Sequence, residues 1–167
     1  MRFKLKKTAA VAAVMLLAVL FAAGCGEQPA DDRSGQAVEA AMKMLGENSK
    51  LDTVVSYGEE LYEDNFSKLY NFSIDDVCGG AIAYGSDGGS ADEISIVCAA
   101  DSNGTAEIRK YMEARLEQRM HDFAGYMPDE VSKIEKGRVA VMKRYVFLII
   151  SDRADEIENE IKKTLNS

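Results

Sequence analysis

The sequence holds one histidine, three cysteines, two prolines and no tryptophan in 167 residues. So few nitrogen- and sulfur-bearing side chains leave little material for a zinc-type site, and no metal or cofactor is called for. Basic residues are short as well: 20 Lys and Arg stand against 28 Asp and Glu, a net charge of −8. The deficit is uneven. Residues 1–24 hold four basic residues (Arg2, Lys4, Lys6, Lys7) and no acidic one, so removing four from 20 leaves 16 against 28, or −12, on the remaining 143. That balance excludes a phosphate-tracking surface for nucleic acid. At the level of composition it also excludes a polybasic hold on anionic lipid. What is present is core material, with 47% apolar residues, enough for one domain of ordinary size.

Met1–Lys7 is short and positive, Ala9–Ala23 is an unbroken apolar run, and Ala22-Ala23-Gly24-Cys25 closes the segment. Fifteen apolar residues rise about 22 Å as a helix, short of the roughly 30 Å of bilayer hydrocarbon. A basic start, a short apolar middle and small residues describe a secretory signal. The Cys directly after them resembles the bacterial lipobox, in which that thiol is acylated and becomes the new N-terminus. Ala22 stands where Leu is usual. The expected organisation is a signal peptide over 1–24, lipidated Cys25 with a tether over 25–34, and a single domain over 35–167. Two or more acyl chains satisfy the rule that stable anchoring takes two signals. Gly26–Ser34 is polar, carries a Pro and lacks periodicity, so it reads as linker with a reach of about 30 Å. The acidic domain is expected to stand off an anionic surface. Its expected place is the outer face of a bacterial cytoplasmic membrane, of Gram-positive type.

The body reads as two hairpins, each followed by a helix. Gln36–Leu45 is Ala- and Met-rich with Val38, Met42 and Leu45 at helical spacing, and Gly46 is its stop. Leu51–Asn71 reads as one or two short helices broken near Gly58. Gly79–Tyr84 and Glu93–Ala99 are strands around a Gly/Ser/Asp turn, and a helix runs from Asp101 to about Phe123. Pro128 interrupts, with one more turn over Asp129–Ile134. Arg138–Met142 and Tyr145–Ile150 are strands, the second apolar on both faces and so central. Asp152–Leu165 is the closing helix. The expected fold is α+β: an antiparallel sheet of about four strands in a ββαββα order, with an additional N-terminal helical segment.

Three segments then occur in order: Tyr70-Asn-Phe-Ser-Ile74-Asp75-Asp-Val77, Ala91-Asp-Glu93-Ile94-Ser-Ile96 and Phe123-Ala-Gly-Tyr126-Met-Pro128-Asp-Glu130. They are followed by Ile134, Val139, Tyr145-Val146 and Ile150-Ser151. The set resembles bacterial lipoproteins catalogued as domain of unknown function 4358, over roughly residues 50–165. The second hairpin departs from the pattern, with Lys143-Arg144 where a Gly is expected before Tyr145. The resemblance implies a fold and a location and brings no activity.

Candidate chemistry is thin. There is no nucleophile elbow, zincin helix, phosphate loop or C-x-x-C, and the lone His121 reads as a surface residue on a helix. A hairpin folded about Gly88 sets Ile82 opposite Ile94, Gly80 opposite Ile96 and Cys78 opposite Cys98. Two readings stay open for that pair: a disulfide formed outside the membrane, or two small buried hydrophobes. The acidic loops at Asp87/Asp92/Glu93 and Asp101–Gly104 lack EF-hand spacing and read as turn and cap chemistry. Tyr126, Met127 and Pro128 form either an exposed recognition loop or packing between helix and strand, and packing is the commoner case. Ala81, Ala83 and Val97 belong to a small, smooth face that either the 36–45 helix covers or a partner docks on; the helix is favoured. The expected function is a non-catalytic, membrane-anchored binding or interaction module for an envelope protein or ligand. An envelope hydrolase working with carboxylates and Tyr, and an accessory subunit of a transport machine, are the alternatives.

Overall fold

The computed structural model describes residues 32–167. The expected signal peptide, Cys25 and the tether as far as residue 31 lie outside the described residues. The ordered domain begins earlier than the composition suggests. Asp32 Oδ1 accepts from the Ser34 backbone N–H (3.0 Å) and hydroxyl (2.7 Å), and its Oδ2 accepts from the N–H of Gly80 (3.1 Å). Ser34 is fully buried as the first residue of α1 (Ser34–Leu45). The last three residues expected in the tether therefore belong to the domain, because Asp32 supplies an acceptor that the helix start lacks.

The chain continues through β1 (Thr53–Ser56), α2 (Tyr62–Tyr70), β2 (Val77–Tyr84), β3 (Glu93–Ala99), α3 (Gly104–Ala124) and α4 (Pro128–Glu135). It ends with β4 (Arg138–Met142), β5 (Tyr145–Ile150) and α5 (Ala154–Asn166). The strands form one antiparallel sheet in the order β1-β2-β3-β5-β4. The α+β class holds, with five strands where about four were expected. The added strand is β1, in a stretch whose Val54, Val55 and Leu61 mimic helical spacing. Val55 is buried while Val54 faces out, the alternation of a strand, and Thr53–Ser56 pair with Ala81–Tyr84. The chain turns at Gly58, which takes a left-handed φ of 88°, and only then enters α2.

Helices cover both faces of the sheet. On one, α1 and α5 bury Ala81, Ala83, Ile94, Ile96, Phe147 and Ile149. On the other, α2, α3 and α4 cover Ile82, Val97, Val146, Leu148 and Ile150. β3 is buried at every position, as a strand enclosed on both faces and both edges must be.

The first hairpin departs from the expected register by one residue. Ala83 faces Ile94, Ile82 faces Ser95 and Gly80 faces Val97. The connecting loop holds an even number of residues between Tyr84 and Glu93, so the axis falls beside Gly88 and not on it. A one-residue slip moves every side chain to the other face. Ile82 thus leaves the face of Ile94 and Ile96, and Val97 leaves the face of Ala81 and Ala83. A bulge between Val77 and Gly79 absorbs the extra residue and returns Cys78 to the side of Cys98. In the second hairpin Lys143 does the work expected of a glycine, with φ 56° between the paired Met142 and Tyr145.

Candidate functional site

The start of β3 carries the densest polar chemistry among the described residues. Glu93 opens the strand on the α3 face and is completely buried. Its Oε1 accepts from the Tyr70 hydroxyl (2.9 Å) and Ser95 Oγ (3.3 Å). Its Oε2 accepts from Arg115 Nη2 (2.8 Å) and Nε (3.2 Å). Burial opposes the Arg115 charge, but the Glu93 carboxylate outweighs it and holds the guanidinium above its ordinary pKa. Burial and Glu93 together hold the Tyr70 hydroxyl far above the usual tyrosine value, so it stays a neutral donor.

One turn along α3, Arg119 lies with its guanidinium 4.5 Å from the Phe123 ring centre and donates to the Ser90 carbonyl (2.9 Å). Burial, with Arg115 beside it, lowers the Arg119 pKa. A second group lies just upstream of β3. Lys133 of α4 is buried and donates to Asp92 (2.7 Å) and Glu130 (2.9 Å). Glu130 also accepts from the Ala91 N–H (2.7 Å). Burial works against the Glu130 charge, but that N–H and the Lys133 ammonium hold its carboxyl below the usual range. Burial likewise works against Lys133, while Asp92 and Glu130 raise its pKa. Three sequence segments that carry the family resemblance thus meet here, through Tyr70, Glu93 and Glu130.

The far end of β3 carries the thiols. Cys78 Sγ stands 2.9 Å from Cys98 Sγ and 3.1 Å from the Ala99 carbonyl, and both cysteines are free. Burial, and then the contact with Cys78, push the Cys98 thiol up to about 12, which keeps it protonated and unreactive at neutral pH. Alkylation of the folded chain should therefore mark the half-buried Cys78 and spare Cys98 until denaturant is added. If neither thiol reacts and the intact mass is lower by two hydrogens, the pair is bridged.

The remaining sequence candidates are scattered. Ala81 and Ala83 lie fully buried under α1, and Val97 is fully buried on the opposite face. The three therefore form no common surface and none is open to a partner, because the register slip separates them and helices cover both sides. Tyr126 in the α3–α4 connection is 75% exposed, Met127 packs against the core and Pro128 is the exposed first residue of α4. That loop combines the two expected alternatives: Met127 pins it and Tyr126 projects. His121 is exposed on α3. Asp87 accepts from the Gly89 N–H (2.8 Å), and Asp101 accepts from the N–H groups of Asn103 (2.8 Å) and Gly104 (2.9 Å) at the start of α3. Among the described residues no helix is long and apolar enough to cross a membrane.

Residues 54–151 match the model of a family described as a domain of unknown function, DUF4358. The chain belongs to the DUF4358 family. No curated protein and no solved structure matches it. The DUF4358 match runs from β1 through β5 to Ser151 and includes all of the charged cluster, whereas α1 and α5 flank it.

Sequence reasoning missed this cluster: Glu93 and Asp92 were read with Asp87 as turn chemistry, whereas Glu93 is buried against Tyr70 and Arg115 and Asp92 is paired with Lys133, and nothing in the pattern singled out Arg115 or Lys133. One signal was available. Glu93 and Ser95 lie two apart in a strand otherwise made of Ile, Val, Cys and Ala, so two polar groups share one covered face.

Proposed function

We propose that this DUF4358 chain is an extracytoplasmic lipoprotein, held at a bacterial membrane by acyl chains on Cys25, whose domain binds an envelope protein or ligand without catalysing a reaction. The observation that supports the non-catalytic reading is the closure of the charged cluster. Glu93 is taken by Tyr70, Ser95 and Arg115, and Asp92 and Glu130 are taken by Lys133. A general base needs an acceptor open to a substrate proton, and a nucleophile needs a base beside it. These carboxylates serve cations and hydroxyls of the same domain instead. The anchored reading rests on the basic, apolar and small-residue order that ends at Cys25, with a polar segment after it.

The contact point in this reading is Tyr126, a large amphipathic side chain on a loop whose neighbour Met127 is fixed in the core. Aromatics presented on a rigid support lose little entropy on binding. The rival hydrolase reading draws on a cleft of about 420 Å³ where Asp92, Lys133 and Ser151 meet. In that cleft Ser151 Oγ accepts from the Arg153 N–H (3.3 Å), and Lys133 is held by its two carboxylates.

Two variants test the proposal. Cys25→Ser should move the chain from the membrane to the soluble fraction, and retention in the membrane would overturn the anchor. A photo-crosslinking residue at position 126 should capture an envelope component in native membranes that the same residue at the exposed Lys68 does not. Equal or absent capture would remove Tyr126 as the contact.

A further inference from the structure

The thiol pair at the far end of β3 has a geometry that two small buried hydrophobes do not require. Cys78 sits in β2 at the bulge between Val77 and Gly79, which turns its side chain to the side of Cys98 on β3. The two Sγ atoms are 2.9 Å apart, so no atom stands between them. Both thiols lie against one acceptor, the Ala99 carbonyl, at 3.1 Å from Cys78 and 3.9 Å from Cys98. They differ in access: Cys98 is 1% exposed, whereas Cys78 is half-buried. A reagent arriving from outside therefore meets Cys78 first. Among the described cysteines, Cys98 has only the sulfur of Cys78 within reach.

We infer that Cys78 and Cys98 form a thiol–disulfide exchange site, in which Cys78 attacks an external disulfide and Cys98 resolves the mixed disulfide into an internal bridge. In the first step Cys78 gives its proton to water and its thiolate attacks one sulfur of the external disulfide, expelling the other as a thiolate. In the second, Cys98 gives its proton to water and attacks Cys78 Sγ, expelling the remaining external sulfur as a thiolate. One external S–S bond breaks, one Cys78–Cys98 bond forms, and two electrons pass from the pair to the external disulfide. Burial, and then the hydrogen bond and charge of Cys78, hold the Cys98 thiol protonated in the resting pair. Once Cys78 is tied up in a mixed disulfide, its thiol no longer bonds to Cys98 and no longer opposes its ionisation. The Arg144 guanidinium then still favours the Cys98 thiolate. That thiolate stands beside its target at an effective concentration no dissolved thiol reaches. The inference goes beyond the anchored reading and needs only a disulfide that reaches Cys78.

The full chain, reduced and freed of reductant, is the material for the test. It is treated with the aromatic disulfide dithiobis(2-nitrobenzoate), and released thionitrobenzoate and intact mass are followed together. Peptide mapping places every adduct, so Cys25 is scored separately whether or not it is acylated. The pair in the wild-type chain should release two thionitrobenzoate ions, retain no adduct and become lighter by two hydrogens. Cys98→Ala should release one and retain one adduct on Cys78. Cys78→Ala should react at Cys98 on the order of a hundredfold more slowly than the wild-type chain does at Cys78. The wild-type mass decides the matter by itself, whatever the variants do to folding. A retained adduct on Cys78, with Cys98 either free or also labelled, overturns the resolving role and leaves two packed thiols. No release from the folded chain, or equal rates at the two cysteines in the single variants, overturns the entry role of Cys78. Loss of the membrane anchor would alter none of these outcomes.

Discussion

Glu93→Ala is expected to lower the stability of the domain by about 3 to 5 kcal/mol, enough to unfold a large fraction of a marginally stable chain. The size follows from what remains after the carboxylate is removed. Arg115 keeps its charge with its side chain only 13% exposed, and the buried Tyr70 hydroxyl loses its acceptor. An uncompensated buried charge costs far more than a surface pair contributes. Glu93→Gln keeps an acceptor for Tyr70 and removes only the countercharge, so its loss should be smaller. The decisive comparison is the triple replacement Glu93→Met, Arg115→Leu and Tyr70→Phe, which removes the ion pair and the Tyr70 hydroxyl together and leaves only the small Ser95 hydroxyl of the group. It should recover most of the stability, since a well-packed apolar substitute for a buried ion pair is often neutral. Urea midpoints for the single and triple variants measure this. If the triple variant falls as far as Glu93→Ala, the pair holds the fold together and is more than a mutually satisfied insertion.

The same residues show what was legible and what was not. Helices α3 and α5 were readable because one face is apolar and the rest charged, so Ile108, Met112, Leu116 and Phe123, or Ile157, Ile161 and Leu165, mark the period directly. The first hairpin was readable from its Gly-rich turn between apolar runs, and the second from the apolar runs on either side of Lys143-Arg144. The register was not, because β2 and β3 are covered on both faces and no polar alternation distinguishes one from the other. With Ala, Ile, Val and Cys permitted on either side, a slip of one residue costs nothing in the pattern and shows only in the packing. β1 failed for a different reason: four residues carry too few alternations to outvote a coincidental helical spacing. The charged cluster is a tertiary property. Tyr70, Glu93, Arg115, Glu130 and Lys133 come from four elements, and no local spacing announces that they meet.

Gly80→Ala is expected to cost about 2 to 3 kcal/mol, and Tyr62→Phe to restore part of it. A methyl group on Gly80 would fall on the Tyr62 hydroxyl and within 2.8 Å of the Ile96 carbonyl oxygen. That carbonyl belongs to the paired strand and has no room to retreat. The hydroxyl is the movable half of the clash, and it is also a liability in the native chain: Tyr62 is 1% exposed and its Oη has no hydrogen-bond partner among the described residues. Tyr62→Phe alone should therefore stabilise the domain by about 1 kcal/mol at neutral pH, whereas Tyr70→Phe, which loses a bond to a carboxylate, should destabilise it. Alkaline titration separates the two roles further. Burial and nearby Asp32 raise the Tyr62 hydroxyl in the folded chain, and burial and Glu93 raise Tyr70. Both contributions are complete below the unfolded tyrosine value of about 10, and above it each is lost at about 1.4 kcal/mol per pH unit as the unfolded chain ionises first. Lys133, also raised in the folded chain, acts with the same sign. The urea midpoint should thus fall steeply from pH 10 to pH 11, and Tyr62→Phe should make that fall shallower by one tyrosine's share. An unchanged slope in Tyr62→Phe would mean that this hydroxyl ionises in the folded domain as it does in water, and that the contact against Gly80 is not closed.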